Sequence, residues 1–337
     1  MDAKLRYVYM VYKEKSFTRA AERLYISQPS LSAMVKKAEQ EFGAIIFDRT
    51  SSPLELTQAG QAYIEYIERV SQCEDTLNEK LWDIQNLGKG SVRLGGSNYV
   101  LSSIVPLILR QLMPRYPGIQ IELIEEKSST LRRMIQEKEL DLVIDSFYLE
   151  DEALVYHHLL DEQILLAIPE GDEANERLRP FRLTPGQIRQ GGSPSAPLPA
   201  EEIRQLLARP FILLKPENDM FRQAKIIFDQ FDRKPEALLQ LDQLVTSLQY
   251  TEAALGCSFV TDTLFRYGDW GKHIYLYAVG EQRSPSRELC IVHKRGKYVS
   301  NPCRLLIQTA QQVFSARPAG GRLSTTAGGR NKFFRPE

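Results

Sequence analysis

Residues 17–32 read FTRAAERLYISQPSLS. Thr18 is placed to cap a short helix running through Leu24, in which the small Ala20 and Ala21 allow close packing on a neighbouring helix. Tyr25 and Ile26 form a tight turn, and Ser27 then caps a third helix with Pro29 in its first turn, where the missing N–H has no partner to lose. That helix continues to about Phe42 and meets Gly43, a residue suited to helix ends. Upstream, Leu5, Val8, Val11 and Tyr12 recur at helical spacing within residues 1–14. Short helices, a brief turn and a longer helix make helix-turn-helix geometry.

The third helix has the polarity of a recognition helix. Gln28, Ser30 and Ser32 occupy its first turn and a half, where base edges are met; Gln can pair with adenine through two hydrogen bonds, and Ser donates or accepts. Lys36 and Lys37 follow at phosphate reach, while Leu31, Met34, Val35 and Ala38 supply the buried face. Residues 45–47 and 54–56 read as the two strands of a small wing around a polar tip at 49–53, with Arg49 able to reach a backbone or minor groove. Spacing alone fits any small three-helix domain equally well.

The run AAERLYISQPSLSAMVKKAEQEFGAIIFDRTSSPLELTQAG, residues 20–60, resembles the N-terminal domain of LysR-type transcriptional regulators. The likeness lies in the paired alanines, the SQPSLS helix entry, the Glu-Phe-Gly end, the Phe-Asp-Arg wing and the Leu-Thr-x-Ala-Gly start of the next helix. It implies that Gln28, Pro29 and Ser32 sit at the groove and that Arg49 serves the wing. With Thr18, Ser27, Ser30, Lys36 and Lys37 these form the candidate DNA-binding set. One departure is Ala33, where the family usually carries a basic residue, so affinity is expected to lean on Lys36, Lys37 and Arg49.

From Thr57 to about Leu87 no proline interrupts, and Tyr66, Val70, Cys73, Leu77, Ile84 and Leu87 recur at three- and four-residue steps. A helix of roughly 45 Å suits a coiled-coil dimer arm; packing on its own domain is the alternative. In the resembled family this segment is the linker helix that pairs two winged domains. The expected bounds are 1–58 for the winged helix-turn-helix and 59–88 for the linker helix, with Gly88 and Gly90 as a hinge.

After Gly90 strands and helices alternate: strands at 92–96, 119–126, 141–145, 164–169, 210–215, 237–242, 257–261, 274–279 and 288–294, with helices between them and a closing helix at 302–314. The alternation predicts an α/β fold with a parallel sheet covered on both faces. Ligands of such sheets bind beyond the carboxyl ends of strands. Those ends present Ser97 and Asn98, Lys127 to Ser129, Asp145 and Ser146, Lys215 to Met220, Val245 and Thr246, and Thr261. Short hydroxyls beside helix starts favour a small polar or anionic effector. The resemblance implies a two-lobed, periplasmic-binding-protein-like effector domain over 91–314, divided as 91–162 plus 266–314 and 163–265, with Ser97, Asn98, Ser128, Asn218 and Thr246 lining the cleft. Ser146 and Met220 complete the candidate effector-binding set.

The 337 residues carry 43 basic and 43 acidic groups, which excludes a protein that coats nucleic acid by bulk charge. The charge is uneven: net +2 over residues 1–60, −6 over 61–315 and +4 over 316–337. A weakly basic DNA-binding domain needs several copies on one operator, so the near-neutral balance predicts oligomerisation. Residues 315–337, rich in Gly, Arg, Ser and Thr, read as a disordered basic tail, either inert or a DNA-touching arm. The chain contains no GxSxG, HExxH, GxxxxGK[ST] or GxGxxG, so no catalytic residue, cofactor or metal site is assigned. Cys73, Cys257, Cys290 and Cys303 are far apart, fit a reducing compartment, and leave Cys257 as the one redox-sensor candidate. The most apolar stretch, around Ile104 to Leu109, is broken by Pro106 and too short to span a membrane, so a soluble cytoplasmic protein is expected.

The sequence therefore predicts a non-enzymatic, ligand-responsive transcription factor. Its expected partners are double-stranded operator DNA, a small effector and further copies of itself, by resemblance a homodimer assembling to a homotetramer, with RNA polymerase as a further candidate and no membrane. The competing reading is a solute-binding α/β protein or enzyme with a non-functional DNA-like N-terminal domain.

Overall fold

A computed structural model describes residues 2–50, 53–85, 88–146, 151–192, 198–280 and 285–315. Of the expected tail at 315–337, Ser315 ends the last helix and 316–337 lie outside the described residues, as does part of the wing tip. The chain forms two compact units, Met1–Asn86 and Leu87–Glu337.

In the first unit, α1 (Ala3–Glu14) buries Leu5, Val8 and Val11, a three-residue repeat on one helical face. Helix α2 (Phe17–Leu24) begins two residues earlier than its sequence suggests: Ser16, in extended backbone, accepts the Arg19 N–H at 3.4 Å. Thr18 is thus an exposed first-turn residue and not the cap. Tyr25 closes α2 in the left-handed region at φ 56. Ser27 caps α3 (Gln28–Phe42) through the Ser30 N–H at 3.3 Å, and Gly43 ends it at φ 79.

The wing is shorter than its apolar run implies. Strands β1 (Phe47–Asp48) and β2 (Glu55–Leu56) pair antiparallel, with Phe47 opposite Leu56. Ile46 stays outside the ladder because a Glu39 carboxylate oxygen accepts its N–H at 2.9 Å. Thr57 caps α4 (Gln58–Gln85) by accepting the Gly60 N–H at 2.9 Å, and donates its own hydroxyl to the Ile45 carbonyl at 2.6 Å. A Cβ at position 60 would sit 2.0 Å from the Ile46 carbonyl oxygen, so only glycine fits this crossing. Ile64 and Ile67 on α4 join the core made by Val8, Val11, Ala20, Ala21, Leu31, Val35, Ala38, Ile46 and Phe47. Further along, Leu77, Leu81 and Ile84 are exposed on one face of the rod, which at 28 residues is about 42 Å long.

The second unit carries a nine-stranded sheet. Its elements are β3 (Lys89–Gly96), a π-helical turn at Val100–Ile104 running into α5 (Val105–Arg115), β4 (Gly118–Glu125), α6 (Ser128–Gln136), β5 (Leu142–Asp145) and β6 (Leu154–Pro169). Then come α7 (Ala174–Arg177), α8 (Pro185–Arg189), α9 (Ala200–Leu206), β7 (Phe211–Leu214), α10 (Asp219–Gln230), β8 (Ala237–Leu241) and α11 (Leu244–Glu252). The chain closes through β9 (Cys257–Thr261), α12 (Asp262–Tyr267), β10 (Ile274–Ala278), β11 (Ser286–Lys294) and α13 (Asn301–Ser315). The strand order is β4-β3-β5-β11-β6-β9-β7-β8, with β10 also on β6.

The sheet is mixed, which corrects the expectation of a parallel one. Strands β3, β4 and β5 run parallel, as do β7, β8 and β9, but β11 is antiparallel to β5 and β6, and β6 to β9 and β10. The long strand β6 is the reason. Residues 154–163 pair with β11 and residues 164–169 with β9 and β10, so one strand joins both halves of the sheet. Because β10 pairs with Leu165–Pro169, the chain returns to the first half after residue 278, later than the expected crossing at 266. One apolar core of both halves includes Val92, Leu94, Ile104, Ile144, Leu166, Phe211, Phe228, Phe259, Phe265 and Leu306.

Candidate functional site

Two sets of residues stand out, one in each unit. On α3, Leu31, Val35 and Ala38 are buried, the far side carries the exposed Pro29, Ala33 and Lys37, and Gln28, Ser32 and Lys36 run along the flank between them. Gln28, Pro29, Ser30, Lys36 and Lys37 are exposed and Ser32 is half-buried. The Ser27 hydroxyl is committed to the helix cap. Arg49 is folded back from the wing: Nη2 donates to Glu39 Oε2 at 3.2 Å, Nη1 lies 3.5 Å from Ser32 Oγ, and the guanidinium stands 5.1 Å above the Phe17 ring. This arrangement couples the wing to the exposed end of α3 while 44% of the Arg49 side chain stays exposed.

In the second unit the strand ends converge on buried charge. Arg287 of β11 donates Nε to Glu162 Oε2 at 2.7 Å and Nη1 to Asp219 Oδ2 at 3.1 Å. Tyr99 and Thr263 both donate hydroxyls to Glu162 Oε1. Ser146 donates Oγ to Asp219 Oδ2 at 3.3 Å and its N–H to Asp145 Oδ1 at 2.8 Å, and the nearby Ser128 hydroxyl favours the charged form of Asp145. The end of β5 is thereby joined to the start of α10, which comes from the other half of the sheet. Nearer the surface, Lys127 Nζ, just before α6, meets Glu217 Oε1, just before α10, at 3.3 Å.

Burial dominates the electrostatics. It pushes the Asp145 carboxyl up from 3.8 to about 6, against the Ser128 and Ser146 hydrogen bonds and the Arg287 charge. Burial and the neighbouring Glu162 charge hold the Tyr99 phenol well above its ordinary value. Burial also works against the Arg287 charge, but Glu162, Tyr99, Asp219 and Asp145 outweigh it and keep the guanidinium protonated.

The remaining expected effector residues fall around this centre in different ways. Ser97 is half-buried, with an Oγ that has no hydrogen-bond partner. Asn98 donates Nδ2 to both Glu125 carboxylate oxygens at 3.2 Å. Asn218 caps α10, accepting the Met220 N–H at 2.9 Å, so its oxygen is committed. Met220 is buried in the apolar core and supplies packing. Thr246 is half-buried in the first turn of α11. Glu162, Arg287, Tyr99 and Thr263 are absent from the expected set because they come from sites far apart in the chain. The available signal was charge inside apolar strand runs: Glu162 and Arg287 are register partners on β6 and β11.

Among the described residues no group of three or more His, Cys, Asp and Glu is arranged to hold a metal. No helix among them is long and apolar enough to cross a membrane. No disulfide joins the cysteines; Cys257 is buried, and burial pushes its thiol up to about 11, the opposite of what a redox sensor requires.

Family comparisons agree with this division. Residues 3–61 match the bacterial regulatory helix-turn-helix protein, lysR family, and residues 85–315 match the LysR substrate binding domain. The chain is 29% identical over 314 residues to the uncharacterized HTH-type transcriptional regulator YcgK of Bacillus subtilis, covering 93% of this chain and 94% of that protein. It is 30% identical to the DNA-binding transcriptional dual regulator OxyR of Escherichia coli over 166 residues, 49% of this chain and 54% of OxyR. Among solved structures it is similar to a Corynebacterium glutamicum OxyR C206 mutant (18% identity, TM-score 0.55, 93% of this chain and 92% of that one). It is also similar to full-length BenM (19% identity, TM-score 0.52, 93% and 96%) and to full-length CbnR complexed with its target DNA (16%, 0.50, 92% and 98%). With a helix-turn-helix unit and a substrate-binding unit both matched in order, this chain belongs to the LysR family of transcriptional regulators.

Proposed function

We propose that the protein is a ligand-responsive, sequence-specific DNA-binding regulator in which α3 reads the operator and the second unit holds a small polar effector. The observation that carries the reading is the division of α3 into a buried stripe at Leu31, Val35 and Ala38 and an exposed side that carries Gln28, Pro29, Lys36 and Lys37, with Ser32 half-buried at its margin. Gln28, Pro29, Ser30 and Ser32 serve base edges, and Lys36, Lys37 and Arg49 serve phosphates. Ser27 acts by setting the helix entry, and Thr18 faces the same DNA as an exposed first-turn residue of α2. The solved CbnR complex with target DNA supports this reading.

In the second unit, Ser97, Asn98, Ser128, Ser146, Asn218 and Thr246 surround a cleft between a lobe of residues 89–162 plus 279–315 and a lobe of residues 163–278, with Met220 packed in the core behind it. Pairing of β10 with β6 supports that boundary. Dimers form through the exposed Leu77, Leu81 and Ile84 face of α4 and assemble to tetramers on a dyad-related operator. RNA polymerase is the partner through which such an assembly acts on transcription. The effector works by binding one oligomer shape better than the other, shifting their populations. Electrophoretic mobility shift on DNA upstream of the neighbouring gene, against random DNA over a salt series, tests the reading. Preferential retention of the upstream DNA supports it, and failure to bind DNA at low salt overturns it.

A further inference from the structure

We infer that the effector of this cleft is a small organic cation that presents a primary ammonium to Asp145 and Asp219; the inference rests on the cleft being the effector site. Three carboxylates, Asp145, Glu162 and Asp219, are buried here, each at most 5% exposed, and Arg287 is the guanidinium that pairs with two of them. Glu162 is fully engaged: one oxygen accepts from Tyr99 and Thr263 and the other from Arg287. The other two carboxylates are each half engaged. Asp145 Oδ1 accepts the Ser146 N–H and Asp219 Oδ2 accepts from Ser146 and Arg287, while Asp145 Oδ2 and Asp219 Oδ1 are buried without any hydrogen-bond partner.

A third buried oxygen without a partner, Ser97 Oγ, lies at the adjoining strand end. Gly96 and Ile144 are register partners on β3 and β5, so Ser97 and Asp145 are the next residues on neighbouring parallel strands. The three open positions therefore consist of two carboxylate oxygens, which only accept, and one hydroxyl, which can accept. An ammonium offers three N–H donors, no acceptor and one positive charge, and so meets all three oxygens and the excess negative charge together. An anion entering at the same strand ends meets two carboxylates, and the first turn of α10 already holds one of them, Asp219. That reverses the anionic alternative raised by the hydroxyls alone. A metal ion is the weaker match, because no metal-holding group of side chains is present among the described residues.

The seat spans the Ser146–Asp219 bond, so a bound ammonium ties the end of β5 to the start of α10 and favours the closed arrangement of the two lobes. That gives the cation a differential affinity for one shape, the requirement for a switch.

The test titrates the full-length protein near pH 7.5, at matched ionic strength, with ethylammonium, L-lysine, propionate and magnesium chloride. Binding is followed by calorimetry and by thermal unfolding. Ethylammonium or L-lysine is expected to bind saturably and raise the Tm; response to ethylammonium assigns a simple amine, and response to L-lysine alone assigns an amino acid. Asp145→Asn and Ser97→Ala, both near-isosteric, are each expected to weaken ammonium binding, by at least tenfold for Asp145→Asn. Binding of propionate or magnesium in place of the ammonium probes overturns the inference, as does Asp145→Asn binding with unchanged affinity or silence of both ammonium probes. Operator binding by the unmodified protein is measured in parallel. Its loss overturns the regulator reading itself, and its presence with silent ammonium probes overturns only the cationic class.

Discussion

Arg287 and Glu162 face each other as register partners on β11 and β6 and form a 2.7 Å ion pair, with side chains 7% and 0% exposed. The pair sits where β6 passes from one half of the sheet to the other, and Arg287 reaches on to Asp219 at 3.1 Å. A guanidinium with its fork of donors can hold both carboxylates, which a lysine ammonium on a flexible stem does not reproduce.

Removing Arg287 alone leaves two buried carboxylates without their cation. Arg287→Leu is expected to destabilise the second unit by about 3–5 kcal/mol. The double variant Arg287→Leu, Glu162→Gln removes one stranded charge and is expected to recover part of that loss. Thermal and urea unfolding of the three proteins checks this; equal stability of single and double variants shows that the pair is uncoupled.

Asp145 gives a pH dependence with a definite sign. Burial raises its carboxyl from 3.8 to about 6, so between these values the folded protein holds a proton that the unfolded chain has lost. Stability therefore falls as pH rises through that window and is level above it as far as this group is concerned. The displacement corresponds to roughly 3 kcal/mol at most. Asp145→Asn removes the cost, so its Tm is expected to exceed that of the parent at pH 7.5 and to match it near pH 4. A constant difference between pH 4 and 7.5 contradicts the assignment.

The cap of α2 separates two neighbouring hydroxyls. Ser16 Oγ accepts the Arg19 N–H, and Thr18 lies exposed inside the first turn. Ser16→Ala is expected to cost about 1 kcal/mol and Thr18→Ala much less. Chemical denaturation of the N-terminal unit within the full chain, followed by far-UV circular dichroism, distinguishes them.

These cases also show what sequence reading reaches. The α3 boundaries were legible because Ser27, Pro29 and Gly43 are local signals, each acting within one helical turn. The cap at α2 was misassigned because Ser16 and Thr18 are both competent, and the extended backbone of Ser16 decides between them. The first part of β6 reads only as an extended segment around His157 and His158, since these residues, Asp161 and Glu162 interrupt the apolar alternation. The burial of Glu162 depends on β11, more than a hundred residues away, while His158 and Asp161 stay exposed. For the same reason Asp145, Ser146 and the run holding Asp219 could be read from strand ends, whereas Glu162 and Arg287, which meet only through the β6–β11 pairing, could not.

The exposed apolar face of α4 predicts a change of assembly. Leu77, Leu81 and Ile84 are 56%, 48% and 72% exposed and stand at four- and three-residue steps. Leu81→Glu places like charges at the seam of two paired helices. Sedimentation velocity is expected to show loss of the larger species without loss of helical content. An unchanged sedimentation profile removes α4 from the dimer interface.

On α3, position separates reading from anchoring. Gln28 stands exposed at the first turn, where its amide can meet a base edge through two hydrogen bonds, and Lys36 stands two turns on along the same stripe. Gln28→Ala is expected to lower operator affinity by about 1–3 kcal/mol and leave random DNA little changed, which relaxes the sequence preference. Lys36→Ala is expected to weaken both DNAs alike and to reduce the slope of log affinity against log salt by roughly one. Arg49→Ala combines two losses, a phosphate contact and the bonds that tie the wing to Glu39 and Ser32. It should therefore weaken both DNAs and also lower the Tm of the N-terminal unit. Mobility shifts on operator and random DNA between 50 and 200 mM salt, on the order of the range where counterion release is steep, resolve the three patterns. Equal loss on both DNAs for Gln28→Ala would move base reading elsewhere on α3, to Ser30 or Ser32.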